Sequence, residues 1–295
     1  MFYDSAFDPS RISQYDVHRC ISKNDLPRYL MDWYEGKCGY RFNIEAPITF
    51  NEKIQWMKLY GKLEQYTNLT DKIQVRRFIR DRIGEKYLTK LFGVWDTFSD
   101  IPFSQLPLRF MLKCNHGCEM NMLINKETKI DVQSIKNLFS RWHSINYAFF
   151  NGFEFQYNNI KPLYFAEEYL ENSCKTLDDY KIWCFNGKPH FILCIRNRGG
   201  KMQQQFYDIS WNVQDFVTPI QYSNCDIIKQ PNNLSEMIEI SAELSQNIPF
   251  VRIDLYRLDN GDIKFGEMTF TPASGTFNWN PRSWNTVLGN LFILP

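Results

Sequence analysis

No charge of either sign dominates this 295-residue sequence: 34 Lys and Arg stand against 33 Asp and Glu, a net charge of +1. That balance excludes a general nucleic-acid or membrane-surface footprint, so any basic site is local. No stretch approaches 18 consecutive apolar residues, so no spanning helix and no membrane insertion are expected. The opening MFYDSAFDPSRISQYD lacks the basic start and apolar run of a signal peptide. The eight cysteines (20, 38, 114, 118, 174, 184, 194 and 225) include no Cys-x-x-Cys. The nearest pair, Cys114 and Cys118, has no second pair at zinc spacing. Scattered thiols, with Cys184 and Cys194 in strand-like segments, are read as reduced, and the protein as cytoplasmic. There are only four histidines, and no Ser-His-Asp or Cys-His arrangement is readable.

What is present is a chain 44% hydrophobic and 16% aromatic, able to bury a core. Residues 1–60 read as helical, with Trp33, Ile54, Trp56 and Leu59 as core contacts. Thr70-Asp71-Lys72 opens a helix that Thr70 or Asp71 caps, with Ile73, Val75, Phe78, Ile79 and Ile83 as its apolar stripe and Gly84 as its end. Residues 91–95 and 109–114 read as strands. Asn115-His116-Gly117 is a turn leading into a short strand, Met122 to Ile124. Residues 131–147 form an amphipathic helix. After Lys161-Pro162 the chain turns β-rich. Residues 163–170 form a strand, residues 180–195 a hairpin across Gly187-Lys188-Pro189, residues 233–247 a helix, and residues 250–270 a final hairpin. A short helix follows near 283–292. Hairpins with helices outside them indicate an α+β fold. The expected division is a helical segment 1–60, a small subdomain 61–165 and a larger one 166–295.

The last hairpin carries the chemistry. Val251 to Leu258 alternates apolar and polar residues, and Asn260-Gly261 is a strong hairpin turn signal. With those two as the turn, paired residue numbers sum to 521. Asp254 then stands opposite Glu267, and Arg252 opposite Thr269. Facing residues have Cβ atoms roughly 5 Å apart, and two carboxylates so placed repel unless a cation joins them. Hard oxygens at that spacing suit Mg²⁺. The alternative is a solvent-facing hairpin whose acids are neutralised by Arg252. Phe265, Phe270 and Val251 mark the hairpin as buried, where an unpaired acid is costly.

Several basic residues qualify as phosphate contacts. Lys113, near the end of an apolar strand, either snorkels to the surface or faces a phosphate. Lys72 sits in the first turn of its helix, where a cation opposes the helix dipole unless an anion is near. Arg76, one turn on, reads as part of a solvated basic face. His116-Gly117 is either an ordinary turn or a mobile phosphate-covering loop. Ala166 to Leu170 either ends a strand or offers backbone groups to an adenine edge. Asp179 and Lys181 share one strand face. Arg196, Arg198 and Lys201 surround Gly199-Gly200, a loop that is either a solvated turn or reaches a substrate carboxylate or γ-phosphate.

In order and spacing these segments resemble the ATP-grasp superfamily, and more narrowly the TupA-like (teichuronopeptide-biosynthesis) proteins of bacterial surface-polysaccharide clusters. The matching stretches are Thr49-Phe50-Asn51-Glu52-Lys53-Ile54-Gln55-Trp56, Thr70-Asp71-Lys72, Leu112-Lys113-Cys114-Asn115-His116-Gly117 and Ala166-Glu167-Glu168-Tyr169-Leu170. Asp179-Tyr180-Lys181 with Cys184 to Pro189, Tyr207-Asp208 with Trp211-Asn212, and Val251 to Tyr256 with Phe265 to Phe270 complete the match. The resemblance implies two α+β subdomains with ATP held between antiparallel sheets. Lys72 and Lys113 would contact the phosphates, and His116 and Gly117 would lie in the loop covering them. Glu167 would reach the adenine amino group, with the backbone of Tyr169 and Leu170 holding the ring and Asp179 the ribose. Asp254, Glu267 and Thr269 would bind Mg²⁺. Arg252, with Lys181 and Arg198, would form the catalytic group, Arg252 stabilising the charge of an acyl phosphate or tetrahedral intermediate.

The chain departs from the pattern in two places. Thr269 replaces the superfamily's Asn, which leaves a weaker neutral ligand. Cys118-Glu119 replaces the Ser-Gly that ends the family's Asn-His-Gly-Ser-Gly loop. The implied function is ATP-dependent carboxylate–amine ligation on a surface polysaccharide or its sugar precursor, such as amino acid joined to uronic acid. The partners are ATP, a carboxylate-bearing sugar and an amine. Rival readings are a sugar phosphotransferase, a glycosyltransferase-type enzyme, for which no Asp-x-Asp motif is present, and a degenerate nucleotide-binding protein.

Overall fold

The computed structural model describes residues 9–173, 177–196, 202–217 and 228–295. In chain order these hold helices α1 (Pro9–His18), α2 (Leu26–Cys38), α3 (Phe50–Tyr60), α4 (Thr67–Thr70), α5 (Val75–Arg82), α6 (Val132–His143), α7 (Leu234–Leu244) and α8 (Ser283–Leu291). The strands are β1 (Leu91–Trp95), β2 (Arg109–Cys114), β3 (Asn121–Asn125), β4 (Tyr164–Glu168), β5 (Asp178–Phe185), β6 (Lys188–Arg196), β7 (Gln203–Asp208), β8 (Phe250–Arg257) and β9 (Ile263–Thr269). They form two antiparallel sheets, an α+β architecture as expected. Among the described residues no helix is long and apolar enough to cross a membrane. The chain divides into two compact units, one of Met1–Ser22, Leu63–Arg76 and Thr89–Leu170, the other of Lys23–Lys62, Arg77–Leu88 and Glu171–Pro295.

The first unit contains the four-stranded sheet β1-β4-β2-β3. Strand β2 alternates strictly: Phe110, Leu112 and Cys114 are buried while Arg109, Met111 and Lys113 are half-buried. That alternation gives the sheet one apolar face, and α6 covers it with Ile135, Phe139 and Trp142. Asp131 caps α6 by accepting from Ser134 N at 3.1 Å. The helix stops at His143, four residues short of the sequence reading, because Asn146 starts a separate 3₁₀ turn by accepting from Ala148 N.

The second unit contains the five-stranded sheet β7-β6-β5-β8-β9. The β5–β6 turn is Asn186-Gly187, both left-handed (φ 50° and 76°), so Lys188 and Pro189 belong to β6 rather than to the turn. One face of β5 and β8 presents Tyr180, Ile182 and Cys184 with Val251, Ile253 and Leu255, and α7 packs on these strands through Met237, Ile240 and Leu244. The opposite face carries Asp179, Lys181, Trp183 and Phe185 beside Tyr256, Asp254, Arg252 and Phe250. Its aromatic end meets α3: Phe50 lies 5.3 Å from Trp183 and 4.9 Å from Phe250, ring centre to ring centre. Its charged end is taken up below.

Helix α3 differs in its facing from the sequence reading. Thr49 and Glu52 form a reciprocal capping box that fixes its start. Phe50, Ile54 and Met57 are buried, whereas Trp56 and Leu59 are only half-buried and Trp33 of α2 likewise. Polar residues fill the rest of the inner face: Asn51, Gln55 and Lys58 are all buried. The reason lies in the segment that follows β9, whose backbone carbonyls need donors.

Candidate active site

The Asp254–Glu267 pairing is present, but it arises differently from the two-residue turn expected. The β8–β9 loop has three residues, Asp259-Asn260-Gly261, closed by Leu258 N donating to Asp262 O at 2.9 Å. Near the loop, paired numbers therefore sum to 520, as in Arg257 with Ile263 and Leu255 with Phe265. A one-residue bulge between Asp254 and Leu255 then shifts the register. Beyond it Asp254 faces Glu267, and Arg252 faces Thr269. The extra residue is Gly266.

The strand β5 brings the rest. Lys181 stands directly opposite Asp254 and Trp183 opposite Arg252. Lys181 Nζ bonds Asp254 Oδ2 and lies 3.2 Å from Asp179 Oδ2. Arg252 grips Asp254 with two parallel bonds, Nε to Oδ1 at 2.6 Å and an η-nitrogen to Oδ2 at 2.7 Å. The same η-nitrogen reaches Glu267 Oε1 at 3.4 Å and Thr269 Oγ1 at 3.1 Å. Thr269 in turn donates to Glu267 Oε1 at 3.1 Å. Asp179 and Asp254 are buried, while Glu267 keeps part of its side chain exposed. Burial raises the Asp254 carboxyl from its ordinary value, opposed by the Arg252 and Lys181 charges. For Arg252, burial pulls the guanidinium down but the charges of Asp254 and Glu267 prevail and hold it protonated.

Among the described residues three carboxylates (Asp179, Asp254, Glu267) thus meet two cations (Lys181, Arg252). Asp254 and Glu267 face each other across β8 and β9, an arrangement of two like charges that a bound cation relieves. The donors are hard oxygens, two of them on facing carboxylates, and Mg²⁺ commonly takes one or two carboxylates together with phosphate oxygens. The residues therefore fit a divalent cation that arrives with a phosphate ligand. Among the described residues no group of three or more His, Cys, Asp or Glu is arranged to hold a metal unaided.

A second cluster lies on the four-stranded sheet. Glu167 of β4 pairs in register with Met111, which puts it diagonal to Lys113 on the same face. Lys113 Nζ lies 2.5 Å from Glu167 Oε1, and Arg76 approaches Glu167 Oε2 at 3.9 Å. Arg76, read from the sequence as a surface cation, also donates to Thr89 O at 2.6 Å. Lys72 donates through Nζ to Gly117 O at 2.9 Å, and its backbone N–H bonds Asn115 O. Asp71 accepts from Ile73 N at 2.8 Å, the local cap that starts the turn into α5. Tyr169 and Leu170 follow β4 half-buried, with the Arg109 guanidinium 4.7 Å from the Tyr169 ring.

The loop after β2 is packed. His116 is buried, donates from Nε2 to Trp142 O at 3.1 Å and stands edge-on to His143. Burial brings its pKa down to about 4, against the pull of the Trp142 carbonyl. A Cβ at Gly117 would come within 2.7 Å of Met120 Sδ and of the Tyr147 ring. Glu119, at the place of the family's second loop glycine, is left-handed (φ 60°) and exposed, so its acid points away from the packed interior. Arg198, with Gly199, Gly200 and Lys201, lies outside the described residues.

The sequence reading overlooked a clamp on the chain after β9. Asn51 donates to Phe277 O at 2.7 Å, Gln55 to Ser274 O and Gly275 O at 3.0 Å each, and Lys58 to Ser274 O and Oγ at 2.8 Å. Spacings of four and three put Asn51, Gln55 and Lys58 on one helical face with Ile54. Polar residues at positions where a stripe should be apolar were the available signal.

A family model described as TupA-like ATPgrasp matches residues 52–293. No curated protein matches the chain. Among solved structures, D-alanine–D-alanine ligase from Bacillus anthracis is similar at 15% identity with a TM-score of 0.44, over 72% of this chain and 64% of that one. An L-amino acid ligase from Bacillus licheniformis is similar at 13% identity and TM-score 0.44, over 81% of this chain and 53% of its own. N5-carboxyaminoimidazole synthetase from Staphylococcus aureus, complexed with ADP, is similar at 12% identity and TM-score 0.42, over 70% and 46%. The chain covers less than two thirds of the length of each of these three.

Proposed function

The chain belongs to the TupA-like ATP-grasp family, and from that membership together with the two side-chain clusters we propose that it is an ATP-dependent carboxylate–amine ligase. The observation that carries this reading is the facing pair Asp254 and Glu267, gathered with Asp179, Lys181 and Arg252 on one sheet face. In this reading ATP is a substrate. Its γ-phosphoryl group passes to a carboxylate oxygen of the acceptor, breaking the bond to ADP and forming an acyl phosphate. An amine then attacks the acyl carbon, inorganic phosphate leaves, and the nitrogen loses a proton to give an amide. The acceptor proposed is a sugar carboxylate of a surface polysaccharide or its precursor, and the amine that of an amino acid.

Asp254 and Glu267 would hold Mg²⁺, with Thr269 as a neutral neighbour, and when bound the ion would offset phosphate charge. Arg252 is held protonated beside them, so its guanidinium offers donors to the oxygen on which negative charge develops. Lys181 opposes the burial-driven rise of the Asp254 carboxyl and orients it. Lys72 and Lys113 are assigned to the phosphates, and Glu167, Tyr169, Leu170 and Asp179 to the nucleoside. Lys113 and Glu167 neutralise each other here, so phosphate binding by Lys113 requires that pair to part.

The test is ADP release by the purified protein with Mg-ATP, a panel of sugar acids and a panel of amino acids. ADP formed together with amide is the expected result, and Asp254→Asn should lower the rate at least 100-fold. No ADP with any pair, together with unchanged ATP affinity in Asp254→Asn, sinks the reading. A stable phosphorylated sugar in place of an amide would instead identify a phosphotransferase.

A further inference from the structure

The segment after β9 leads from the carboxylate strand into a cavity of about 380 Å³, within the ~300–1,000 Å³ common for small-ligand sites. Its wall includes Lys37, Tyr40, Phe277, Trp279, Arg282 and Asn285, and every lining residue belongs to the unit that holds the five-stranded sheet. The lining combines three chemistries. Lys37 and Arg282 are cations that make no ion pair with a described residue, whereas Lys181 and Arg252 of the same unit are both engaged with acids. Phe277 and Trp279 present adjoining rings, 4.8 Å apart at their centres. Asn285 and Tyr40 supply an amide and a phenol, linked at 3.4 Å. Aromatic faces suit the C–H faces of a sugar ring, amides and a phenol suit its hydroxyls, and two cations with no acidic partner among the described residues suit an anionic substituent.

Trp183 connects the cavity wall to the charged cluster along one face of one sheet. Trp183 stands opposite Arg252 in the β5–β8 register, two residues along β5 from Lys181. Its ring lies 5.5 Å from Phe277 and 5.6 Å from Trp279. The chain leading into the wall is also fixed in advance, and Asn51 holds the Phe277 carbonyl of the wall itself at 2.7 Å. Ala273, Ser274 and Gly275 are consecutively left-handed (φ 47°, 52° and 67°), an arrangement that persists only when its surroundings impose it. The clamp of Gln55 and Lys58 on the Ser274 and Gly275 carbonyls imposes it. A site whose wall is already ordered loses less entropy on binding.

We propose that this cavity is the acceptor subsite and that it takes a sugar acid, with Arg282 and Lys37 as the residues that select the anionic group. The proposal rests on the ligase reading for its choice of carboxylate over other anions. Its test is a binding titration of the full chain, read by tryptophan fluorescence, with sodium glucuronate, glucose 1-phosphate and glucose. Wild type, Lys37→Gln, Arg282→Gln and Arg282→Lys are compared. Both positions are exposed, and circular dichroism checks that the variants keep the fold. Expected is glucuronate binding that Arg282→Gln weakens at least tenfold and Arg282→Lys restores to within about threefold, with glucose bound weakly by all four proteins. The proposal is overturned by absent glucuronate binding, by glucuronate affinity unchanged in both glutamine variants, or by preference for glucose 1-phosphate. ATP affinity of the wild type is measured in parallel. Absent ATP binding removes the ligase reading, while the sugar titrations still decide the cavity.

Discussion

Gly266 is the extra residue set against the Asp254–Leu255 step, and a Cβ at Gly266 would lie 3.0 Å from the Asp254 carbonyl oxygen and 3.0 Å from the Tyr256 ring. The bulge at this glycine is what turns the Asp254 and Glu267 side chains to a common position. Gly266→Ala should therefore destabilise the protein by about 1–3 kcal/mol, the usual cost of forcing a methyl into a filled space, and lower ATP turnover with it. Urea unfolding with an ADP assay checks both. Unchanged stability and turnover would mean that the bulge tolerates a side chain.

Lys181 serves two buried acids, Asp179 and Asp254. Removing the ammonium leaves Asp179 and Asp254 with less compensation, and breaking a buried pair from one side costs about 3–5 kcal/mol. Lys181→Met should fall in that range by urea unfolding. The double variant Lys181→Met/Asp254→Asn should lose less than the sum of the two single changes, because the second change removes an acid that the first left uncompensated. Simple additivity would show that the pair is not coupled.

His116 gives the protein a pH signature. Its folded pKa lies near 4, below the ordinary histidine value near 6.5, because burial disfavours the imidazolium and the Lys72 and His143 charges add to that. A depressed folded value means that its contribution is fully present above the unfolded pKa and is lost as pH falls through the folded one. Wild-type stability should accordingly decline between about pH 6.5 and 4 by on the order of 3 kcal/mol more than that of His116→Gln. Glutamine keeps a donor for the Trp142 carbonyl without titrating. Parallel pH curves for the two proteins would refute the assignment.

Glu119 occupies a left-handed conformation that costs a side-chain-bearing residue about 1–2 kcal/mol. Glu119→Gly should raise stability by about 0.5–1 kcal/mol, part of the relieved strain being offset by the flexibility of unfolded glycine. Glu119→Ala should show no such gain, since its Cβ keeps the strain. A gain shared by both would trace the effect to the charge instead.

The extent to which the site could be read from sequence differs from residue to residue. The pairing of Asp254 with Glu267 was legible because strand alternation and an Asn-Gly signal both constrain neighbours in a hairpin. The route to it was not: the loop is one residue longer than expected, and the bulge at Gly266 shifts the register back by one. Neither deviation leaves a periodic trace. Arg76 and the Gln55–Lys58 clamp were misread or overlooked because their partners, Glu167, Thr89, Ser274 and Gly275, are distant in sequence. The packing of His116 against Trp142 was hidden for the same reason.

By itself the sequence determined the α+β class, most strand and helix positions, the family, and which acids sit on the last hairpin. These depend on alternation, caps and turns, all of which act over a few residues. Tertiary structure alone decided which cations neutralise those acids, how α3 holds the strained loop after β9, and where Lys37 and Arg282 meet Trp279 around one cavity. Those relationships join residues tens to hundreds of positions apart, and long-range ion pairs and hydrogen bonds follow from packing geometry that local sequence rules do not encode.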